Sequence, residues 1–197
     1  MHNPLAIANY FILRARGENL RDFSPARLHA LVYLAHGEWL GAQGKPLLSG
    51  TVSAHRDGVF IPELREAGCW GTRAIEEFIS VVGLDQARGM MTEQKPVLPP
   101  GDPSLKSLDG FWKALGKLDS FQLSKLIMTA GSPWDLIWND EERPDDEPKL
   151  IPNGTIKVWF QAQKAGRGSK PGAGSKTRPD RTQRLLATPD PERLRSA

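Results

Sequence analysis

The sequence predicts a mainly α-helical protein: a compact single-domain helical bundle over residues 1–165, with at most a short β element near residues 51–61, followed by a disordered basic tail over residues 166–197. Three observations carry this reading. Asn3-Pro4, Ser24-Pro25 and Ser132-Pro133 each put a side-chain oxygen acceptor immediately before a proline. The oxygen can satisfy an orphan amide of a first helical turn, where proline sacrifices no intrahelical hydrogen bond. Behind these starts, apolar residues recur at helical spacing. From Gly166 onward, GRGSKPGAGSKTRPDRTQR offers glycine, proline and charge without an apolar period, too little burial to offset the entropy of ordering.

Behind Asn3, Leu5, Ala8, Ile12 and Ala15 form one stripe, widened by Ile7 and Phe11, and Gly17 stops a helix of residues 4–15. Behind Ser24, Leu28, Leu31, Val32, Ala35 and Trp39 trace a second stripe, and Leu34 and Leu40 make this helix apolar around much of its circumference, which places it centrally. Gln43-Gly44-Lys45-Pro46 breaks it before a short extended segment at 51–55 and a turn at Asp57-Gly58. Pro62 opens a helix to Gly68, and the pattern from Arg73 to Val82 fits another. Residues 89–104, with Pro96, Pro99, Pro100, Gly101 and Pro103, read as a connection. Helices follow over 105–118 and 120–130, then a short turn from Pro133 through Trp138, an acidic loop at 140–147 and a last helix over 155–164.

Composition narrows the function classes. A single cysteine, Cys69, excludes an intramolecular disulfide, and there is no CxxC or Cys/His cluster for structural zinc. The N-terminal MHNPLAIANYFILRARG has a short apolar run with no basic residues before it, unlike a signal peptide. No window approaches the roughly 20 apolar residues that span a bilayer. A soluble protein of a reducing cytoplasm, with no membrane partner, is the expectation. The net charge of +3 divides unevenly: the tail holds eight basic against three acidic residues, +5, which leaves residues 1–165 at −2.

The chemistry-bearing residues form no reactive constellation. His29 and His36 are seven apart, two turns of about 5.4 Å each, too far to share a metal ion. His36 with Glu38 lacks the spacing of a metalloprotease pair. No GxSxG, GxxxxGK[ST] or GxGxxG is present, and Cys69 in AGCWG reads as a buried thiol. Asp57, Glu63 and Glu66 near a turn read as a solvated surface. No catalytic, metal or cofactor-binding residue is therefore assigned. Of the six tryptophans, most belong to a core. Any left exposed is a candidate interface anchor, and Trp70, before Gly71, is the first choice.

Four blocks, in order and spacing, carry a resemblance: Ala8-Asn9-Tyr10-Phe11; Leu31-Val32-Tyr33 with Ala35 and Gly37; Gly44-Lys45-Pro46-Leu47; and Ser132-Pro133-Trp134. Together they resemble the Panacea domain, the family of SocA-like antitoxins and phage-associated GepA-like proteins, over about residues 5–165. The chain departs from the family pattern at three places. Arg27-Leu28-His29-Ala30-Leu31 stands where the family has lysine-leucine-glutamine-lysine-leucine, Asp57-Gly58-Val59 where it has tyrosine-glycine-proline, and Ala130-Gly131 where it has threonine-histidine. The resemblance implies a helical, non-catalytic protein that neutralises a cognate toxin protein by direct binding. In adaptor members it implies delivery of that toxin to a protease such as an ATP-dependent Clp-type machine. An immunity factor or another phage-associated protein-binding module is the alternative within the same class. The expected partner-binding residues are Tyr33, His36, Trp39, Arg56, Asp57 and Trp70, with Tyr33, His36 and Trp39 supporting the recognised surface. A nucleic-acid-binding role, the alternative of another class, would use Arg167, Lys170, Lys176, Arg178, Arg181 and Arg184 of the tail.

The split charge makes the last alternative testable. Removing residues 166–197 is expected to abolish any DNA or RNA affinity of the full chain, and that affinity is expected to fall steeply with salt and to ignore sequence, because it acts through counterion release. Titrating both lengths with a labelled oligonucleotide at low and high salt checks this.

Overall fold

The computed structural model describes residues 1–85, 88–139 and 147–168. The order of elements is α1 (Pro4–Gly17), α2 (Pro25–Gln43), β1 (Ser53–His55), β2 (Gly58–Phe60), α3 (Pro62–Glu66), β3 (Val81–Asp85), β4 (Met90–Gln94), α4 (Ser104–Leu115), α5 (Ser120–Ile127), α6 (Pro133–Trp138), β5 (Lys149–Leu150) and α7 (Asn153–Gly168). The fold is mainly helical. All three oxygen-proline starts are real caps: the side chains of Asn3, Ser24 and Ser132 accept from the backbone N–H of Leu5, Arg27 and Asp135. At the far end of α2, Gly44 takes the left-handed conformation, φ 70°, that glycine adopts without steric cost.

Helix α2 is the axis of the core. Leu28, Leu31, Val32, Tyr33, Leu34, Ala35 and Leu40 are all buried along it, and α1, α4, α5 and β2 pack against it. Helix α7 is seated on α2 by glycine. A Cβ added at Gly37 would lie 2.0 Å from the ring of Phe160, and one at Gly41 would lie 2.8 Å from the Phe160 Cβ. One turn apart, the two glycines form a slot that only a side-chain-free backbone provides, and Phe160 fills it with its ring 6.2 Å from that of Tyr33.

Strands β2, β1 and β5 form a small antiparallel sheet in that order, with Ala54 opposite Val59 on one side and Lys149 on the other. The sequence points to the 51–61 element but not to its third strand, which follows the acidic loop expected at 140–147. Residues 140–146 of that loop lie outside the described residues. The turn expected after Pro133 closes into a full helix, α6, and the last helix extends at both ends beyond residues 155–164.

Two expectations need correction. Residues 73–82 are not helical, and Met90–Gln94 is not part of a connection: it pairs antiparallel with Val81–Asp85, Gly83 opposite Thr92, in a second two-stranded sheet. The β content therefore exceeds the single element expected near 51–61. Buried Asn9 explains both. Its Oδ1 accepts the Ile79 N–H at 2.8 Å, and its Nδ2 donates to the carbonyls of Ile79 and Pro96, each at 2.8 Å. The Ile75 N–H goes to the Phe23 carbonyl at 2.8 Å. With these backbone groups held by distant partners, no helical ladder forms through 75–79, and β-branched Ile75, Ile79, Val81 and Val82 give a helix little intrinsic support. Asn9 thus works as a one-residue strand that holds both legs of the β3–β4 hairpin at their base.

Polar side chains of α1, α2 and the segment between them lock α4 in place. Tyr10 donates its hydroxyl to Asp109 of α4 at 2.5 Å, and Arg14 reaches the same carboxylate at 3.3 Å. Trp112 donates its indole N–H to Glu18 at 2.6 Å. Arg27, with a side chain 3% exposed, donates to the Gly116 carbonyl at 2.9 Å and to Asp22 at 3.2 Å.

The glycine slot yields a prediction. Gly37→Ala is expected to expel the Phe160 ring and to destabilise the fold by about 2 kcal/mol despite alanine's better helix propensity. In a Phe160→Ala background the same change is expected to be neutral or stabilising. Thermal melts of the four chains of this double-mutant cycle check the coupling.

Candidate functional site

The two histidines of α2 come first, because their geometry decides whether they can react. Ile61 N–H donates to His29 Nδ1 at 3.1 Å, so Nε2 carries the proton and donates to the Cys69 carbonyl at 2.9 Å. His36 repeats the arrangement. Leu48 N–H donates to Nδ1 at 3.3 Å, and Nε2 donates to Asn153 Oδ1 at 2.9 Å. Each neutral ring has one acceptor and one donor, and both are used. Burial lowers the pKa of both rings, against a smaller opposing effect of the groups that accept from Nε2. Neither has a nitrogen left for catalysis or metal. Among the described residues no three His, Cys, Asp or Glu side chains gather as metal ligands, and no helix is long and apolar enough to cross a membrane.

The expected partner-binding residues fall into two groups. Tyr33 and His36 are each 1% exposed and belong to the interior, with Trp39 half-buried farther along α2. Burial pushes the Tyr33 phenol upward, and its hydroxyl finds no hydrogen-bond partner among the described residues. Arg56, Asp57 and Trp70 are brought together at the surface. Arg56 and Asp57 form the two-residue loop between β1 and β2, with the Arg56 Nε 3.8 Å from the Asp57 carboxylate. The loop is fixed from beneath: Trp134 donates its indole N–H to the carbonyls of both His55 and Gly58 at 2.8 Å, and Asp57 N–H donates to His55 Nδ1 at 3.3 Å.

Trp70 leaves α3 through Gly68, φ 84°, and is followed by Gly71, φ 91°, conformations that put the ring over the sheet rather than out along the helix. It is 42% exposed. Its inner edge meets His55 at 5.5 Å, Phe60 at 5.7 Å and His29 at 6.1 Å, all edge-to-face, and the Arg65 guanidinium lies 5.2 Å over the ring. Beside it opens a cleft of about 220 Å³, bounded by the start of α2 at Pro25 and Ala26, the β1–β2 loop, Trp70 to Thr72, and Ser124 and Ile127 of α5.

Arg65, the start of α2 and the α5 wall are the parts that sequence reasoning missed. No spacing links residues 25, 57, 70 and 124, which only the packing of α5 on α2 brings together. The remaining chemistry candidates disperse. Cys69 is a buried thiol whose pKa is raised by desolvation. Glu63 lies against Gly50, whereas Asp57 faces His55 and Arg56, so the acidic trio is not one site. Arg167 falls in the last turn of α7, and Lys170, Lys176, Arg178, Arg181 and Arg184 lie outside the described residues.

The chain is similar to Antitoxin SocA of Caulobacter vibrioides, with 26% identity over 171 residues that take in 86% of this chain and 88% of that protein. No family model matches the chain, and no solved structure does. The likeness supports an antitoxin-like role.

The two buried histidines make stability pH-dependent. With the folded-state pKa below the unfolded value, the unfolded chain binds more protons as pH falls through about 6.5, so stability is lost on acidification from there, by up to about 1.4 kcal/mol per pH unit for each ring. Denaturant titrations at pH 7.5, 6.0 and 5.0 are expected to show this loss. A His29→Gln/His36→Gln chain, which keeps a donor and an acceptor at both places without a titrating ring, is expected to flatten it.

Proposed function

We propose that this protein neutralises a cognate toxin protein by direct binding and performs no catalysis of its own. The observation that carries the proposal is the likeness to Antitoxin SocA along nearly the whole of both chains. The site chemistry is consistent with it. The two histidines of α2 are spent on holding it to Ile61, Cys69, Leu48 and Asn153. Of the expected partner-binding residues, Trp70, Arg56 and Asp57 reach the surface, on a loop and a helix exit that are rigidly backed. An exposed tryptophan on a fixed scaffold is the usual form of an energetic anchor between proteins.

Expression of this chain alone is expected to be harmless, and a small open reading frame beside its gene is expected to encode a toxin whose growth arrest it relieves. Co-expression of each neighbouring frame with and without this chain, and affinity capture with the tagged full chain, form the test. A neighbourhood without a toxic frame, together with no stoichiometric partner, refutes the reading.

A further inference from the structure

We propose that two copies of this chain pair antiparallel along the free edge of β3, about a two-fold axis at Gly83, and so join their hairpins into one four-stranded sheet.

The hairpin wears its apolar residues on the wrong side. Residues directly opposite each other share a face, so the register of β3 and β4 sets Val82, Leu84, Met91 and Glu93 on one side and Val81, Gly83 and Thr92 on the other. An antiparallel sheet with one wet side turns its apolar residues to the protein as a rule. Here Val82, Leu84 and Met91 are each more than half exposed, whereas Gly83 and Thr92 are half-buried. This sheet has only two strands. Two strands alone are marginally stable in water, and further strands sharing an apolar face are what stabilise such a ribbon.

The edge of β3 selects an extended occupant. Apart from the ladder with β4, no backbone group of residues 81–84 bonds to another backbone group among the described residues. Free edges are commonly protected by a charge, a proline or a bulge. Val81-Val82-Gly83-Leu84 has no charge and no proline, and its register with β4 runs without a bulge. The edge of β4 differs, since Glu93 stands on it and accepts from Ser80 Oγ.

The residues around Gly83 make that occupant a second copy. Antiparallel pairing about Gly83 sets Val82 of each copy opposite Leu84 of the other. Each exposed row then runs Met91, Leu84, Val82 across three strands, and the apolar flanks cover one another at the usual cross-strand separation of about 4.5–5.5 Å. Pairing about Thr92 of β4 would instead set Met91 against Glu93. Gly83 meets itself at the axis. It does not take a positive φ, and a Cβ added there would lie 3.5 Å from the Gln94 side chain, an ordinary contact. A single chain thus has no steric need of glycine in mid-strand, a position where glycine weakens the strand and marks the close approach of another backbone. One short strand keeps the interface below roughly 1,200 Å² in total, so the dimer is reversible.

Sedimentation of the full chain over a concentration series is expected to show a monomer–dimer equilibrium. Val82→Lys with Leu84→Lys, at exposed positions, is expected to leave monomer throughout, with an unchanged melting temperature in dilute solution. Crosslinking reads the register. Gly83→Cys is expected to form an intermolecular disulfide on mild oxidation, because directly opposite residues fall within the Cα separation a disulfide needs, roughly 4.4–6.8 Å. Met91→Cys, at least three strand spacings or about 14 Å from its counterpart, is expected to form none. The buried Cys69 stays in place in both chains. A full chain that is monomeric at every concentration, or a dimer indifferent to the double substitution, overturns the proposal. Preferential crosslinking of Met91→Cys also overturns it, in favour of hairpins stacked face to face. So does a monomeric chain whose capture of a toxin the double substitution abolishes, which reassigns the edge to a partner protein. The antitoxin reading is tested separately: a chain that dimerises and neutralises nothing loses that reading and keeps this one.

Discussion

The burial of α2 on nearly all sides is the constraint from which the rest of this structure follows. A helix enclosed in this way satisfies its own backbone, but its polar side chains lose water, and an unpaired buried polar group costs about 1–3 kcal/mol, a cost that the Tyr33 hydroxyl bears. Arg27, His29 and His36 are such side chains, and each bonds to a group remote in sequence: the Gly116 carbonyl, the Ile61 and Cys69 backbone, and Leu48 with Asn153. The cost of burying them thereby becomes a set of positional instructions. Each partner is the backbone of a segment with little regular structure, or the first residue of a helix, which would otherwise have few reasons to lie in one place. Asn9 on α1 does the same for the residues flanking the β3–β4 hairpin.

This division between helix and tethered segment explains what the sequence revealed. Helix starts are local events, a side-chain oxygen meeting an amide two or three residues on, so Asn3, Ser24 and Ser132 could be read directly. The capping box of α5 is as local, Asp119 accepting from Gln122 N–H while Gln122 returns the bond, and it places the start of that helix where the apolar pattern did. Residues 73–82 failed for the opposite reason. Their apolar spacing fits a helix, but the bonds that decide their conformation run to Phe23 and Asn9, more than fifty residues away. Trp70 could be singled out from its glycine neighbour alone. The cleft beside it could not, since its far wall comes from α5.

The same division runs through the resemblance. The blocks that carry the resemblance do scaffold work: Asn9 clamps the hairpin, Gly37 admits Phe160, Gly44 ends α2, and Trp134 holds the β1–β2 loop. Two of the three departures line the cleft, where His29 and Ala30 form its floor and Asp57, Gly58 and Val59 one of its walls. At His29 the bonding is of a kind that a glutamine amide could also make, because both groups present one acceptor and at least one donor in the same plane. The buried imidazole also stacks on Phe60, its centroid 6.2 Å away. The bonds that order the segments are made by buried side chains, Asn9, Arg27, His29, His36 and Trp134, and draw on none of the side chains of Arg56, Asp57 and Trp70 that reach the surface.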